Sequence, residues 1–128
     1  MLTHIKILGW IYIATHVLYV LGAVIFFVFF SSAGAVSAVT AGVGLGALLA
    51  SIGTLVALIL LAVGLPGLIV GVYILKYAPW ARIAGIVLSF IMLLNLATFG
   101  VTFVIGLYGL WVLFNPETVA IFERRIAV

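Results

Sequence analysis

The sequence predicts an all-α integral membrane protein: a four-transmembrane-helix bundle closed by a short C-terminal interfacial helix. Three observations predict it. The chain of 128 residues is 69% hydrophobic and 5% charged, more apolar surface than a core of this size could hide from water. Residues 45–75 carry no charge and are flanked by further apolar runs, so the chain divides into about four segments of membrane-spanning length. With four crossings, Lys6, Lys76, Arg82, Arg124 and Arg125 all fall on one side, which the positive-inside rule makes cytoplasmic, with both termini there.

Composition also excludes. The absence of cysteine removes disulfides, thiolate metal sites and thiol redox chemistry. A net charge of +3 from five basic and two acidic residues forms no patch able to neutralise several phosphates, so no nucleic-acid partner is expected. The length is that of one domain, residues 1–128.

The first span is expected over residues 5–30. Its apolar part, about 24 residues, is too long for a signal-peptide core of 7–15, so a retained helix is expected. Gly9, Tyr12, His16, Tyr19 and Ala23 recur at spacings of three and four and share one stripe. In lipid such small and polar residues turn towards other helices. Residues 31–44 are Ser, Ala, Gly, Val and Thr without a charge, which reads as a small-residue turn in the interface or as a segment packed on a partner. Gly42 and Gly46 form a small-xxx-small pair that Ala50 and Gly53 extend; with no Lys-Ser or Lys-Thr following, this is not a phosphate loop.

The second span, residues 45–75, would be about 46 Å long as one helix, longer than a hydrocarbon layer of about 30 Å, so a tilt or bend is expected. Pro66 supplies the bend, since it lacks a backbone donor and crowds the preceding turn. Gly64, Gly67 and Gly71 line one side of it for close packing. Lys76, Tyr77, Pro79, Trp80 and Arg82 mark a membrane surface, and Pro79 starts the next helix. The third and fourth spans, residues 80–95 and 99–114, form a hairpin turning at Asn95, with Gly85 and Ser89 on one contact face and Thr102, Gly106 and Gly109 on the other. Asn115, Pro116 and Glu117 cap and restart the chain as a surface helix over residues 116–127, with Val119, Phe122 and Ile126 on its apolar side.

His16 is the one titratable side chain deep in a span, and so the default functional candidate. It could relay a proton or ligate a haem or chlorophyll metal. Without a second ligand on another span it reads more simply as a neutral imidazole bonded to Tyr12, Tyr19 or a neighbouring helix. Asn95 reads as a turn cap, and Tyr73 and Tyr108 as candidates to bond across spans two and four. Trp10, Trp80 and Trp111 are expected at the cytoplasmic interface with Lys76 and Arg82, and Arg124 and Arg125 against anionic lipid head groups. No catalytic residue, metal site or cofactor is assigned beyond the His16 possibility.

Gly64-Leu65-Pro66-Gly67, Pro79-Trp80-Ala81-Arg82, Gly85-Ile86-Val87-Leu88-Ser89, Tyr108-Gly109-Leu110-Trp111 and Asn115-Pro116-Glu117-Thr118 together resemble a widespread group of small, uncharacterised four-span bacterial membrane proteins. The resemblance covers roughly the last two thirds of the chain, with Lys6-Ile7-Leu8-Gly9 a weaker match. It implies a four-helix fold in the bacterial cytoplasmic (inner) membrane and carries no catalytic residue across. The expected role is a non-enzymatic accessory or scaffold subunit that self-associates or joins a larger membrane complex. The alternatives are a minimal oligomeric transporter or channel, and a lipid- or pigment-binding subunit using the Tyr12, His16 and Tyr19 stripe. Membrane lipid is the expected partner throughout.

Overall fold

The computed structural model describes residues 1–94 and 100–124, and among these it is helical, without strands. The helices are α1 (Leu2–Thr40), α2 (Val43–Leu75), α3 (Pro79–Leu94), α4 (Val101–Phe114) and α5 (Pro116–Arg124). α1 and α2 are each long and apolar enough to cross a membrane. α3, with 16 residues, and α4, with 14, fall short of the roughly 20 residues that a full crossing takes. α4 and α5 count as a third candidate span only if taken together across a 65° bend, and α5 carries Glu117, Glu123 and Arg124.

The expected turn over residues 31–44 is the main departure from the sequence reading. Its first ten residues continue α1, and the connection shrinks to Ala41 and Gly42. Gly42 takes φ +105, a conformation that suits a residue without a side chain. The segment stays helical because nothing in it needs water. Ser32 and Thr40 donate to the carbonyls of Val28 and Val36, at 2.8 and 3.0 Å. Across the hairpin, Ser51 and Thr54 donate in the same way to Ala47 and Ala50.

The chain divides into two compact units, Thr15–Pro66 and the combination of Met1–Ala14 with Gly67–Val128. The first is an antiparallel helix pair zipped by small residues. A Cβ on Gly46 would lie 2.6 Å from Ala38 Cβ, and one on Gly34 would lie 2.7 Å from the Gly46 carbonyl oxygen. Further along, Phe30 sits directly on Gly53, and Tyr19 and Val20 close over Gly64. Only backbones without side chains permit this approach.

In the second unit, α3, α4 and α5 pack together with the first turns of α1 and the last of α2. Ile5, Leu8, Val70, Ile74, Leu88, Met92, Val112 and Leu113 form the centre of its core. α2 ends in a left-handed turn at Tyr77, φ +54, with Ala78 N donating to Tyr73 O and Tyr77 N to Ile74 O, both 3.0 Å. That position normally goes to glycine. α3 then starts at Pro79, as expected.

α5 differs from its expected role as a helix lying on the lipid. Its cap is the expected one: Glu117 N donates to Asn115 Oδ1 at 3.0 Å. Its Thr118 and Phe122 are buried, however, and the Phe122 ring meets Tyr77 edge-on at 6.1 Å. An amphipathic helix this short gains more by covering the bundle's end than by floating beside it. Ile126 and Arg125 lie outside the described residues, as does the turn at Asn95.

Candidate functional site

The most concentrated polar chemistry in the described interior lies where α1, α3 and α4 meet. Tyr12, fully enclosed, donates its hydroxyl to the Gly85 carbonyl at 3.0 Å and touches Ser89 Oγ at short range. Ser89, also fully enclosed, reaches the same carbonyl at 2.9 Å. Three contacts thus share two hydroxyl protons, so one hydroxyl donates to the other and the second donates to Gly85. Gly109 of α4 closes the cluster: a Cβ there would overlap Ser89 Oγ and lie 2.9 Å from the Tyr12 hydroxyl. Gly106, one turn earlier, presses on the Ser89 carbonyl oxygen, 2.8 Å from where its Cβ would be. Gly85 fits beneath Leu113 and Ile74.

This cluster explains why the small residues recur as they do. Gly85 and Ser89 present one carbonyl and one hydroxyl on the same side of α3, four residues apart. Gly106 and Gly109 let the α4 backbone come within reach of both. Gly71 packs in the same unit against the Ile13 backbone nitrogen and Gly9 carbonyl, at 3.1 and 3.2 Å from a would-be Cβ. Gly67 is buried as well, and α2 runs through Pro66 without a break.

His16, in the helix-pair unit, is fully enclosed, its ring 5.8 Å from that of Tyr19. The sequence stripe therefore splits by role: Tyr12 binds α3, while His16 packs with Tyr19. In the same unit as His16 lies a groove of about 300 Å³ lined by Ala23, Val24, Phe27, Ala57, Leu58 and Leu61, with Thr54 its one hydroxyl-bearing residue.

The interfacial residues form two clusters at the helix ends. In one, Lys76 Nζ stands 5.2 Å from the centre of the Tyr73 ring, and Trp80 packs on the same ring with centroids 4.8 Å apart. In the other, His4 Nδ1 lies 3.0 Å from the Tyr108 hydroxyl and the His4 ring meets Trp111 edge-on at 5.5 Å. Tyr73 and Tyr108 therefore bond to these neighbours and not to each other across α2 and α4. His4 was missed by the sequence reading; the signal available was a second histidine at the level of the expected aromatic belt. Arg82 donates Nε to the Leu113 carbonyl at 3.0 Å, which ties the start of α3 to the end of α4. Trp10, Trp80 and Trp111 are all exposed, as membrane anchors are, and so is Arg124.

Among the described residues no group of three or more His, Cys, Asp or Glu could hold a metal ion. No family model matches the chain, and neither does any curated protein or solved structure.

Proposed function

We propose that the protein is a non-enzymatic integral membrane subunit with four crossings and both termini cytoplasmic, acting as a small scaffold that self-associates or joins a larger membrane complex. The observation that carries this reading is the fate of these hydroxyls. The buried pair Tyr12 and Ser89 is spent on itself and on the Gly85 carbonyl at a helix junction, and the exposed Ser32, Thr40, Ser51 and Thr54 on their own helices. Polar groups consumed by packing do not line a path for a solute or present a reacting atom to a substrate.

α3 and α4, about 24 and 21 Å long, cross if the bilayer thins locally beside them. The gathering of Lys6, Lys76, Arg82, Arg124 and Arg125 on one side in a four-crossing topology supports a bacterial cytoplasmic membrane as the location. Lipid contact is favoured specifically by the apolar groove at Ala23 and Ala57, which suits a hydrocarbon chain.

Two measurements test the reading. Alkaline phosphatase and green fluorescent protein fused to each end should both report the cytoplasm; ends in opposite compartments would remove the four-crossing topology. Membrane patches excised with styrene–maleic acid copolymer should contain more than one protein chain. A single chain per patch, with no companion protein, would overturn the scaffold role.

A further inference from the structure

Among the described residues the one ion pair joins Glu117 to the Met1 amine, at 3.8 Å. Lys6, Lys76, Arg82 and Arg124 therefore have no carboxylate partner there. Lys6, Lys76 and Arg124 are exposed, where water solvates a lone charge. Arg82 is half-buried, in the first turn of α3 against the end of α4. A charge drawn partly out of water needs a counter-charge or a full set of hydrogen bonds.

The protein meets only part of that need. Arg82 Nε donates to the Leu113 carbonyl at 3.0 Å, one of the acceptors that a helix end leaves open, and the negative end of α4 offsets some of the charge. A guanidinium has five N–H groups, however. The four on the two Nη atoms meet no acceptor among the described residues. The Nε bond also fixes the plane of the group, so its outer edge is a fork oriented in advance. Two parallel donors in that geometry match two oxygens of a phosphate.

Both helices mark the level at which this fork stands. Trp80 precedes Arg82 by two residues on α3, and Trp111 precedes Leu113 by two on α4, each about 3 Å along its helix. The two helices run in opposite directions, so the tryptophans bracket the bond from its two sides. Both indoles are exposed. Exposed tryptophan belongs to the headgroup level of a membrane, which is where lipid phosphates lie. All four residues belong to one compact unit.

We propose that the Nη edge of Arg82 clamps the phosphate of an anionic phospholipid of the phosphatidylglycerol class. The inference rests on the membrane reading above, but not on the number of crossings or of associated chains. Charge sets the preference for an anionic lipid: five basic residues stand against two acidic ones, and a choline or ethanolamine headgroup would bring another cation to a site without a carboxylate. Arg82 thus joins α3 to α4 with its inner edge and holds lipid at the same joint with its outer one.

The purified protein, titrated in maltoside detergent with dioctanoyl phosphatidylglycerol, should hold one such lipid in native mass spectrometry. Arg82→Gln should weaken the binding by roughly tenfold or more, and so should Arg82→Lys, because an ammonium keeps the charge but not the fork. Lys76→Gln and Arg124→Gln, at exposed positions, should change it by less than about threefold. Each variant is compared where its circular dichroism matches that of the parent; if Arg82→Gln does not fold, Arg82→Lys carries the comparison. Undiminished binding in the Arg82 variants would overturn the clamp. An equal loss in Lys76→Gln or Arg124→Gln would overturn it too, since that marks diffuse attraction. Equal retention of dioctanoyl phosphatidylcholine would overturn selection by charge, and displacement by inorganic phosphate at the lipid's own concentration would overturn a lipid as the occupant. A single chain per membrane patch would remove the scaffold role and leave these binding measurements as they are.

Discussion

Gly109→Ala tests whether the Tyr12, Ser89 and Gly85 cluster holds the helices together. The added methyl would overlap Ser89 Oγ and sit 2.9 Å from the Tyr12 hydroxyl, but only 3.5 Å from Ser89 Cβ, an ordinary contact. Overpacking of a fitted interior costs about 1–3 kcal/mol. Displacing Tyr12 from Gly85 and Ser89 loses about 0.6 kcal/mol more per interhelical hydrogen bond, with a ceiling near 1.7. The sum is about 2–4 kcal/mol, enough to change the folded-to-unfolded ratio by a factor of roughly 30 to 1,000. Ser89→Ala alone should cost about 1 kcal/mol, since it leaves Tyr12 its bond to Gly85.

The double variant carries the argument. Ser89→Ala removes the atom that the new methyl strikes, and Tyr12 can then move into the vacated space. The pair should therefore be less destabilised than the sum of its parts by about 1–2 kcal/mol, well beyond the 0.3–0.5 kcal/mol within which independent sites add. Reversible unfolding in mixed micelles, followed by tryptophan fluorescence as sodium dodecyl sulfate is titrated in, gives the three differences. Simple additivity would refute the contact geometry, and a Gly109→Ala protein as stable as the parent would refute the cluster's role altogether.

In the hairpin, Gly46→Ala should splay the helices, because the methyl meets Ala38 Cβ at 2.6 Å and its backbone nitrogen at 2.8 Å; spin labels at positions 36 and 48 should move apart, whereas Gly44→Ala, with nothing within 4 Å, should leave their distance unchanged. At the α2–α3 turn, Tyr77→Gly should be less harmful than Tyr77→Ala by about 1 kcal/mol, because both lose the Phe122 contact but only glycine relieves the left-handed backbone; the reverse order in thermal melts would show that the turn is unstrained. Arg82→Met should lower stability by about 1 kcal/mol through loss of the bond to Leu113 O, and Lys at this position should not restore it, lacking the Nε geometry. Thr118→Val should be neutral or stabilising by up to about 1 kcal/mol, since Thr118 Oγ1 is buried without a partner among the described residues; a loss of more than 1 kcal/mol would mean that the hydroxyl is in use.

What could be read from the sequence was whatever depends on composition and on one helix at a time. Hydropathy gave the environment, Pro79 and Asn115 gave the starts of α3 and α5, and three-and-four spacing put Gly64, Gly71, Gly85 and Gly109 on packed faces. What could not be read depends on the partner across the contact. Within residues 31–40 the helix preference of Ala33, Ala35 and Ala38 is offset by Gly34 and the serines, so the segment alone says neither helix nor turn; Gly46 and Ala50 on the opposite helix of the hairpin tip the balance by offering a close-packing surface. Likewise, the amphipathic pattern of α5 fits a lipid surface as well as a protein one, and Tyr77, turned by its unusual backbone to meet Phe122, selects the protein.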